Sequence, residues 1–568
     1  MIRNKAFGLI IYFIFAVLMG ANVLLEQYQN TPRLFQLADR LSFSQPQKIF
    51  LKNLRGSGSE FVVASTFVHP ACSQLNHLIV LNDAEEAAYF HNTLENLTEA
   101  LDLFYFPSSF RTKKNFRLLN SSHVMLRTEA LARVASGGNK KILVTYPEAL
   151  HEKVTVPNKL SSSIIYIKTA DQLDVGQLLM QLSGYGFERT DFVYEPGQFA
   201  IRGGILDIYS FGNDKPYRIE LFGNEVDSIR IIDPETQLSE RKLLQVSIIP
   251  NVDTQFENEE RISLFDFLPE NTIVWMQDVD WCMEKIKEAS GELSSFLQQG
   301  NKNEKAPDSN EDRMERKNIT EDDFITAEDL QKKIVNRHVV EFGYRSSLSS
   351  FEIEFNTKEQ PAFNRKFDLL IQDLKDWKKK NFQLYLFAGN PKQLERLYSI
   401  FNDLKEEIHF TPIATAIHEG FIDEDLKIVC YTDHQIFQRY HKYNVRQAYN
   451  KNKALTLKTL RELQPGDFVT HIDHGVGIFS GLQKLEVNGK LQEVVRIIYK
   501  DSDILYVNIN SLHKIAKYTG KEGTIPKINK LGSDVWNRLK EKAKSKVKEI
   551  AFDLIKLYAK RKAQQGFT

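Results

Sequence analysis

The chain has 568 residues, of which 42% are hydrophobic and 26% charged, the composition of a globular protein with about four domains. Its 74 basic and 74 acidic residues cancel, which excludes a global electrostatic attraction to nucleic acid and leaves only local patches for that role. None of the 3 cysteines has CxxC spacing, so neither a zinc ribbon nor a disulfide framework is indicated, and the setting expected is cytosolic.

The first element is an uncharged run from Ala6 to Leu25, preceded by Arg3 and Lys5. Taken alone, the run has the length and flanks of a transmembrane helix or signal anchor. The alternative is a gene start placed too early, which would make residues 1–25 a spurious extension. We favour the extension and expect a cytoplasmic protein.

Residues 26–150 alternate strand-like and helical patterns. The apolar runs Phe61–Ala64, His77–Leu81 and Lys141–Thr145 have strand character, and Asp83 to Leu97 reads as a helix. Alternation of this kind predicts a parallel sheet with helices on both faces.

A Gly/Ser-rich segment lies just before the first of these runs. A working phosphate loop reads GxxxxGK(S/T). With Gly58 as its second glycine, Asn53 stands at the first glycine, Ser59 at the lysine and Glu60 at the hydroxyl residue. Nothing here would neutralise phosphates, and Glu60 would repel them. The sequence therefore predicts a degenerate phosphate loop formed by Gly56, Gly58, Ser59 and Glu60, with a plain Gly/Ser turn as the alternative.

Residues 151–250 are rich in strands separated by turn signals. The strands predicted here are Phe192–Tyr194, Gly204–Tyr209, Tyr217–Phe222 and Ser228–Ile232.

Residues 251–299 return to an α/β pattern, and residues 300–335 form a polar linker. A smaller α/β unit is predicted over residues 336–450. The elements expected in these stretches are the strands Thr272–Met276, Gln383–Phe387 and Leu426–Cys430 and the helices 281–288 and 391–404.

Residues 451–530 form a small β module with an Asn488-Gly489 hairpin turn, and residues 531–568 form a basic amphipathic helix. Two histidine groups were considered as metal ligands. His434 and His441 would lie about 10 Å apart along a helix, too far to share one ion. His471 and His474 lie in a glycine-flanked turn. We therefore predict no metal site.

These segments together resemble the amino-terminal part of the bacterial transcription-repair coupling factor family (Mfd), most strongly over residues 184–235 and 430–568. The resemblance implies a multidomain α/β plus β protein. Its UvrB-like, helicase-related α/β domain (26–150 and 251–299) would contain an inserted UvrA-binding α+β domain (151–250). The small α/β domain, a CarD/Tudor-like small β-barrel that interacts with RNA polymerase (451–530) and a relay helix (531–568) would follow.

The resemblance implies transcription-coupled nucleotide-excision repair, in which the chain binds stalled RNA polymerase and recruits UvrA. The family's ATP-driven translocase would follow the relay helix and is expected to be absent from this chain. ATP and magnesium, and most contacts with double-stranded DNA, would belong to that motor. We therefore expect no cofactor, no catalytic residue and a monomer.

The resemblance also assigns binding residues. Arg189 and Arg202 are expected to meet acidic groups of UvrA, with Phe199 supplying an apolar contact and Gly203 completing the motif. The RNA polymerase β subunit is expected to dock by β-augmentation along a sheet edge. The edge residues predicted for this role are Leu482, Lys484, Leu485, Glu486 and Val487.

Two other classes of function remain open. One is a UvrB-like ATPase that uses the N-terminal domain, against which the residues at 59 and 60 argue. The other is a membrane-anchored transcription regulator of the CarD type, for which residues 1–25 would be a real anchor.

Overall fold

The computed structural model divides the chain into two compact units. The first comprises residues 1–165, 211–214 and 247–448, and the second comprises residues 166–210, 215–246 and 449–568. The structure describes residues 21–98, 102–112, 114–234, 237–252, 260–299, 319–404, 406, 408–439, 463–487, 490–508, 515–518, 526–531, 536, 538, 540–542 and 546.

A seven-stranded parallel sheet organises the first unit and confirms the parallel sheet predicted from the sequence. The central strand and its neighbour Asn76–Val80 are buried along their whole length, as expected where helices cover both faces. Across the sheet the strands run in the order Phe351–Glu354, Lys48–Lys52, Val339–Glu341, Thr272–Met276, Asn76–Val80, Ile142–Thr145 and Leu103–Tyr105.

Helices cover this sheet. One of them, Gly58–Val68, contains the run Phe61–Ala64, so the strand predicted there is wrong. Every residue from Phe61 to Phe67 is buried, and a short run that is apolar on all sides carries no periodicity to separate helix from strand. The other helices of this part are Asn22–Gln29, Pro32–Leu41, Ala84–Thr98, Ser121–Ala135, Pro147–His151, Pro157–Ser163, Leu264–Phe267, Val279–Gln299 and Ala327–Val335.

A second, five-stranded mixed sheet shares the core of the first unit. Phe61 packs against Phe387 and Phe421 of this sheet, with ring centroids 6.2 and 5.5 Å away. The strands run in the order Thr357–Glu359, Phe421–Asp423, Ile428–Thr432, Gln383–Phe387 and Thr411–Ile413, with helices Phe367–Lys379, Pro391–Asp403 and Asp433–Ile436.

The predicted domain boundary at residue 336 therefore cuts through the seven-stranded sheet. Two strands beyond that boundary, Val339–Glu341 and Phe351–Glu354, pair with Lys48–Lys52. The predicted polar linker is also shorter than expected, because the helix Ala327–Val335 buries Leu330 and Ile334. Residues 300–318 of that linker lie outside the described residues.

The N-terminal apolar run is described only from residue 21. Leu24 and Leu25 are buried in the core of the first unit, within the helix Asn22–Gln29. Residues 1–20, which carry most of the predicted extension or anchor, lie outside the described residues. Among the helices that the structure describes, none is long and apolar enough to cross a membrane.

A six-stranded sheet with the helix Val175–Gly184 forms the strand-rich part of the second unit. The predicted strand Phe192–Tyr194 is wrong, because the side-chain oxygen of Gln198 accepts the backbone N–H groups of Tyr194 and Glu195 and turns the chain there. The strands run in the order Ser239–Leu243, Glu225–Ile232, Tyr217–Phe222, Ile205–Tyr209, Gln198–Arg202 and Glu188–Arg189.

The C-terminal β module is a five-stranded antiparallel sheet. Its order is Ile504–Asn508, Lys490–Ile498, Gly475–Val487, Phe468–His471 and Ile515–Lys517. The predicted helix 531–568 lies mostly outside the described residues. The remaining short strands of the chain are Phe110–Thr112, Asn115–Leu119, Val154–Thr155, Ile165–Lys168, Gln245–Ile248 and Arg261–Ile262.

Candidate binding sites

The predicted degenerate phosphate loop connects the strand Lys48–Lys52 to the helix Gly58–Val68, the strand–loop–helix order of a true phosphate loop. Gly56 has a φ of +52°, and a Cβ atom at this position would lie 2.7 Å from the carbonyl oxygen of Gly420. Glycine is therefore needed at 56 for backbone shape and for the close approach of a neighbouring segment.

That neighbouring segment, residues 418–420, bonds directly to the loop. The backbone N–H of Ser57 donates to the carbonyl oxygen of Glu419 at 3.2 Å, and the N–H of Glu419 donates to Ser57 Oγ at 3.0 Å. In a phosphate loop the N–H groups at the start of the helix cradle the phosphates. Here the Ser57 N–H is already engaged by the protein's own backbone.

A cavity of about 160 Å³ adjoins this loop and is strongly acidic. Glu60 is buried and accepts hydrogen bonds from Ser57 Oγ at 3.2 Å and Ser59 Oγ at 2.7 Å. Burial raises the pKa of Glu60 to about 7. The charged side chains lining the cavity are Arg55, Glu60, Glu86, Glu359 and Glu419. Four carboxylates and one guanidinium make a poor environment for a triphosphate.

The histidines considered as metal ligands do not form such a site where they are described. The rings of His471 and His474 stack with centroids 4.8 Å apart, and His434 Nε2 bonds the carbonyl oxygen of His418. His441 lies outside the described residues. Within the described ranges no group of three or more His, Cys, Asp and Glu side chains could hold a metal ion.

Arg202, predicted to bind UvrA, is held in place by a buried carboxylate. Asp207 is fully buried, and its Oδ2 lies 2.5 Å from Arg202 Nη2. Arg218 donates two hydrogen bonds to the same carboxylate, from Nε to Oδ1 at 2.8 Å and from Nη2 to Oδ2 at 2.9 Å. The Arg202 guanidinium also lies over the ring of Phe192, 4.2 Å from its centroid. Arg202 is thus partly exposed and fixed before any partner arrives.

Sequence reasoning missed this cluster, although Asp207 lies only five residues beyond Arg202. Strand alternation could have found it: Asp207 lies opposite Arg218 in the antiparallel register, so their side chains share one face of the sheet.

Gly203 lies in the tight turn between Gln198–Arg202 and Ile205–Tyr209. Its φ of +60° is the left-handed conformation that this turn requires. The next residue, Gly204, approaches the backbone of Leu221, where a Cβ atom would lie 2.7 Å from the Leu221 carbonyl oxygen. The Arg-Gly pair of the motif therefore shapes the hairpin that presents Arg202.

Phe199 does not occupy the position expected of it. Only 1% of the residue is exposed, so its ring is in the domain core and a surface contact with UvrA is contradicted. Arg189 is exposed on the edge strand opposite Phe199. Because Arg202 lies three residues beyond Phe199, alternation along the strand directs it to the other face. The structure thus does not bring the two predicted arginines together.

The predicted polymerase-docking residues lie in the strand Gly475–Val487, whose two halves differ. The first half pairs with Phe468–His471, whereas residues 482–487 pair with Lys490–Val495 only, among the described residues. The strand as a whole lies inside the sheet, and the observed pairing of residues 482–487 is on one backbone side; their role as a docking edge stays a prediction. The side chains of Leu482, Lys484, Leu485, Glu486 and Val487 lie outside the described set.

Two family models match the chain. The model described as "UvrB interaction domain" matches residues 165–253, which contain the six-stranded sheet. The model described as "CarD-like/TRCF RID domain" matches residues 463–519, which contain the five-stranded antiparallel sheet.

Known proteins extend the similarity to nearly the whole chain. The transcription-repair-coupling factor of Bacillus subtilis (strain 168) is 27% identical over 89% of this chain and 48% of its own length. That of Staphylococcus haemolyticus (strain JCSC1435) is 23% identical over 96% of this chain and 51% of its own length. The chain spans about half the length of the curated relatives it matches. It resembles the amino-terminal portion of the transcription-repair-coupling factors and carries their UvrB interaction and CarD-like domains.

Proposed function

We propose that the chain acts in transcription-coupled nucleotide-excision repair, binding a stalled RNA polymerase and recruiting UvrA. The observation that carries the proposal is the presence of a UvrB interaction domain and a CarD-like/TRCF RID domain in one chain. A UvrB interaction domain alone would also fit UvrB, and a CarD-like domain alone would fit a transcription regulator. Together, and with similarity over 89% of the chain, they favour a coupling factor.

The UvrA surface proposed here centres on Arg202 and its hairpin at Gly203, with Arg189 on the edge strand. A guanidinium that is already oriented loses little further freedom when it pairs with a carboxylate of the partner. The polymerase surface proposed is the backbone side of residues 482–487 that faces away from Lys490–Val495, where no strand among the described residues pairs with it and a strand of the β subunit could add.

The first unit is proposed to be a UvrB-like, helicase-related scaffold that does not use nucleotide. The acidic cavity and the bond between Ser57 and Glu419 support this proposal and disfavour the UvrB-like ATPase. ATP and magnesium, and the main contacts with double-stranded DNA, would then serve the translocase of full-length relatives. The chain itself is proposed to be a monomer.

A bridging experiment tests the proposal. Purified chain should pull down UvrA on beads that carry RNA polymerase, and UvrA should not be retained when the chain is left out. A chain lacking residues 463–568 should lose the polymerase but still bind UvrA in direct titration. Retention of neither partner at micromolar concentration would contradict the proposed function.

A further inference from the structure

The burial of Phe199 leaves the proposed UvrA surface without its apolar contact. Protein interfaces generally combine arginine with a large, well-packed aromatic side chain at the energetic centre. An exposed aromatic residue close to Arg202 would supply that missing part. The following inference rests on the proposed recruitment of UvrA.

Phe222 is such a residue. It ends the strand Tyr217–Phe222, directly before the Gly223-Asn224 turn, and is 84% exposed. Tyr217 and Ile219 of the same strand are buried in the domain core. A single exposed apolar residue is ordinary on a protein surface, so its exposure alone decides nothing. Its position relative to Arg202 is what distinguishes it.

The hairpin tips that carry Arg202 and Phe222 lie side by side. The backbone N–H of Leu221 donates to the carbonyl oxygen of Gly204 at 2.7 Å. Gly204 belongs to the turn that follows Arg202, and Leu221 immediately precedes Phe222. The two tips are therefore joined through their backbones.

The register also places both side chains on one face of the sheet. Arg202 lies opposite Ile205, and Ile205 lies opposite Glu220, so these three residues share a face. The register with the neighbouring strand shifts between Glu220 and Leu221, but the extra residue, Asp227, lies on Glu225–Ile232. Alternation along Tyr217–Phe222 itself therefore continues, and Phe222, two residues beyond Glu220, returns to the same face. Strands ~4.8 Å apart with a rise of ~3.4 Å per residue separate the Cα atoms of Arg202 and Phe222 by roughly 12 Å.

The charge of this face indicates the kind of partner. Arg230 lies on it too, with Nη2 3.0 Å from Glu220 Oε2, and Lys242 lies opposite Arg230. Placing cations opposite each other on neighbouring strands is unfavourable unless an acidic surface covers them. The carboxylate of Glu220 lies among these cations, which suits a protein surface of mixed charge better than a phosphate backbone.

We infer that Phe222 is the apolar anchor of the UvrA-docking surface, inserted into a hydrophobic pocket of UvrA whose rim carries carboxylates for Arg202. Phe222 and the oriented guanidinium of Arg202 lie at neighbouring hairpin tips and together form one docking surface. Phe222 thereby fills the role that sequence reasoning gives to Phe199, while Phe199 supports the sheet from inside.

Titration of purified UvrA against the full chain tests this inference. Phe222→Ala should weaken binding by about tenfold or more, because hot-spot aromatics dominate interface affinity. Leu244→Ala is the matched control. Leu244 is also 84% exposed and follows the edge strand Ser239–Leu243, two strands beyond Tyr217–Phe222 and four from the strand that carries Arg202, so its loss should change binding less than about twofold. Because both side chains are exposed, both variants should keep the thermal stability of the parent.

The outcomes separate this inference from the proposed function. If the unmodified chain fails to bind UvrA, the proposed partner is wrong. If the chain binds and Arg202→Ala weakens binding but Phe222→Ala does not, the proposed partner stands and the anchor is overturned. If Phe222→Ala instead weakens binding of single-stranded DNA and leaves UvrA binding unchanged, the aromatic ring serves nucleic acid and the inference is also overturned.

Discussion

Asp207 shows how one buried residue can determine the behaviour of an exposed one. Its carboxylate is inaccessible to a partner, yet it holds Arg202 and Arg218 through charged hydrogen bonds. A buried carboxylate is unfavourable unless such bonds satisfy it. Asp207 therefore serves to hold the two arginines in place.

We predict that Asp207→Asn destabilises the six-stranded domain by roughly 2–3 kcal/mol, since it weakens several hydrogen bonds between charged groups. UvrA affinity should fall as well, because Arg202 is no longer oriented. Urea denaturation and UvrA titration measure the two effects. Glu240→Gln is the control, because Glu240 pairs with Lys215 at the exposed surface and should cost below about 1 kcal/mol. Equal losses in the two variants would refute the special position of Asp207.

Glu60 makes the stability of the first unit depend on pH. Burial raises its pKa to about 7 in the folded protein, whereas the unfolded chain has the ordinary value near 4.5. The folded state then holds the proton more tightly, so stability decreases as pH rises from about 4.5 to 7.

We predict that Glu60→Gln removes this part of the pH dependence. Through Glu60, the parent should lose on the order of 2–3 kcal/mol of unfolding free energy between pH 5 and pH 8. The variant should not show this loss. Chemical denaturation at the two pH values provides the measurement. Glu86 and Glu419, whose pKa values are also raised by burial, are present in both proteins and cancel in the comparison. If parent and variant show the same difference in unfolding free energy between the two pH values, Glu60 is not the source of that difference.

In the β module, residues 482–487 form the proposed docking surface for the RNA polymerase β subunit. Leu485→Arg should abolish binding of the RNA polymerase β subunit, because a charge on this surface opposes close packing of an added strand. Pull-down with the β subunit measures this loss, and circular dichroism checks the fold. Tyr506→Arg is the control on the edge strand Ile504–Asn508, where binding should persist. If only Tyr506→Arg abolished binding of the β subunit, the docking edge would instead be the strand Ile504–Asn508.

Several elements could be predicted from the sequence to the residue. The strands Thr272–Met276, Tyr217–Phe222 and Gln383–Phe387 are short β-rich runs bounded by turn or polar residues, and each has the predicted limits. The helix Gly58–Val68 could not be recognised, because its burial between two sheets removes the usual amphipathic pattern.

Part of the candidate site could likewise be predicted from the sequence, and part of it could not. The turn at Gly203 ends the strand carrying Arg202, and the adjacent pair Gly203-Gly204 is a local sequence signal from which it could have been predicted. The burial of Phe199 and the exposure of Phe222 depend on which face of the sheet the domain core covers. Local sequence holds too little of that information, because both residues stand in strands of mixed polarity.

The chain is proposed to recruit partners without using nucleotide. This proposal leads to a biochemical prediction. The purified chain should show no ATPase activity, with or without DNA, because the loop at residues 53–60 lacks the lysine and the metal-binding hydroxyl. Phosphate release assays provide the measurement, and ATP titration by calorimetry should show no heat of binding. Turnover that disappears in a Gly58→Asp variant would contradict this view of the first unit.

The strand order of the seven-stranded sheet also has a consequence for how the protein is made. Its central strand, Thr272–Met276, lies between Asn76–Val80 and Val339–Glu341. Strands near the N-terminus can therefore complete their pairing only after strands that are synthesised much later have appeared. The domain of residues 166–246 is complete on the nascent chain before that sheet can close. Such long-range pairing slows folding and exposes apolar strands during translation. The six-stranded domain is thus expected to acquire its structure first, while closure of the seven-stranded sheet is the step most in need of chaperones.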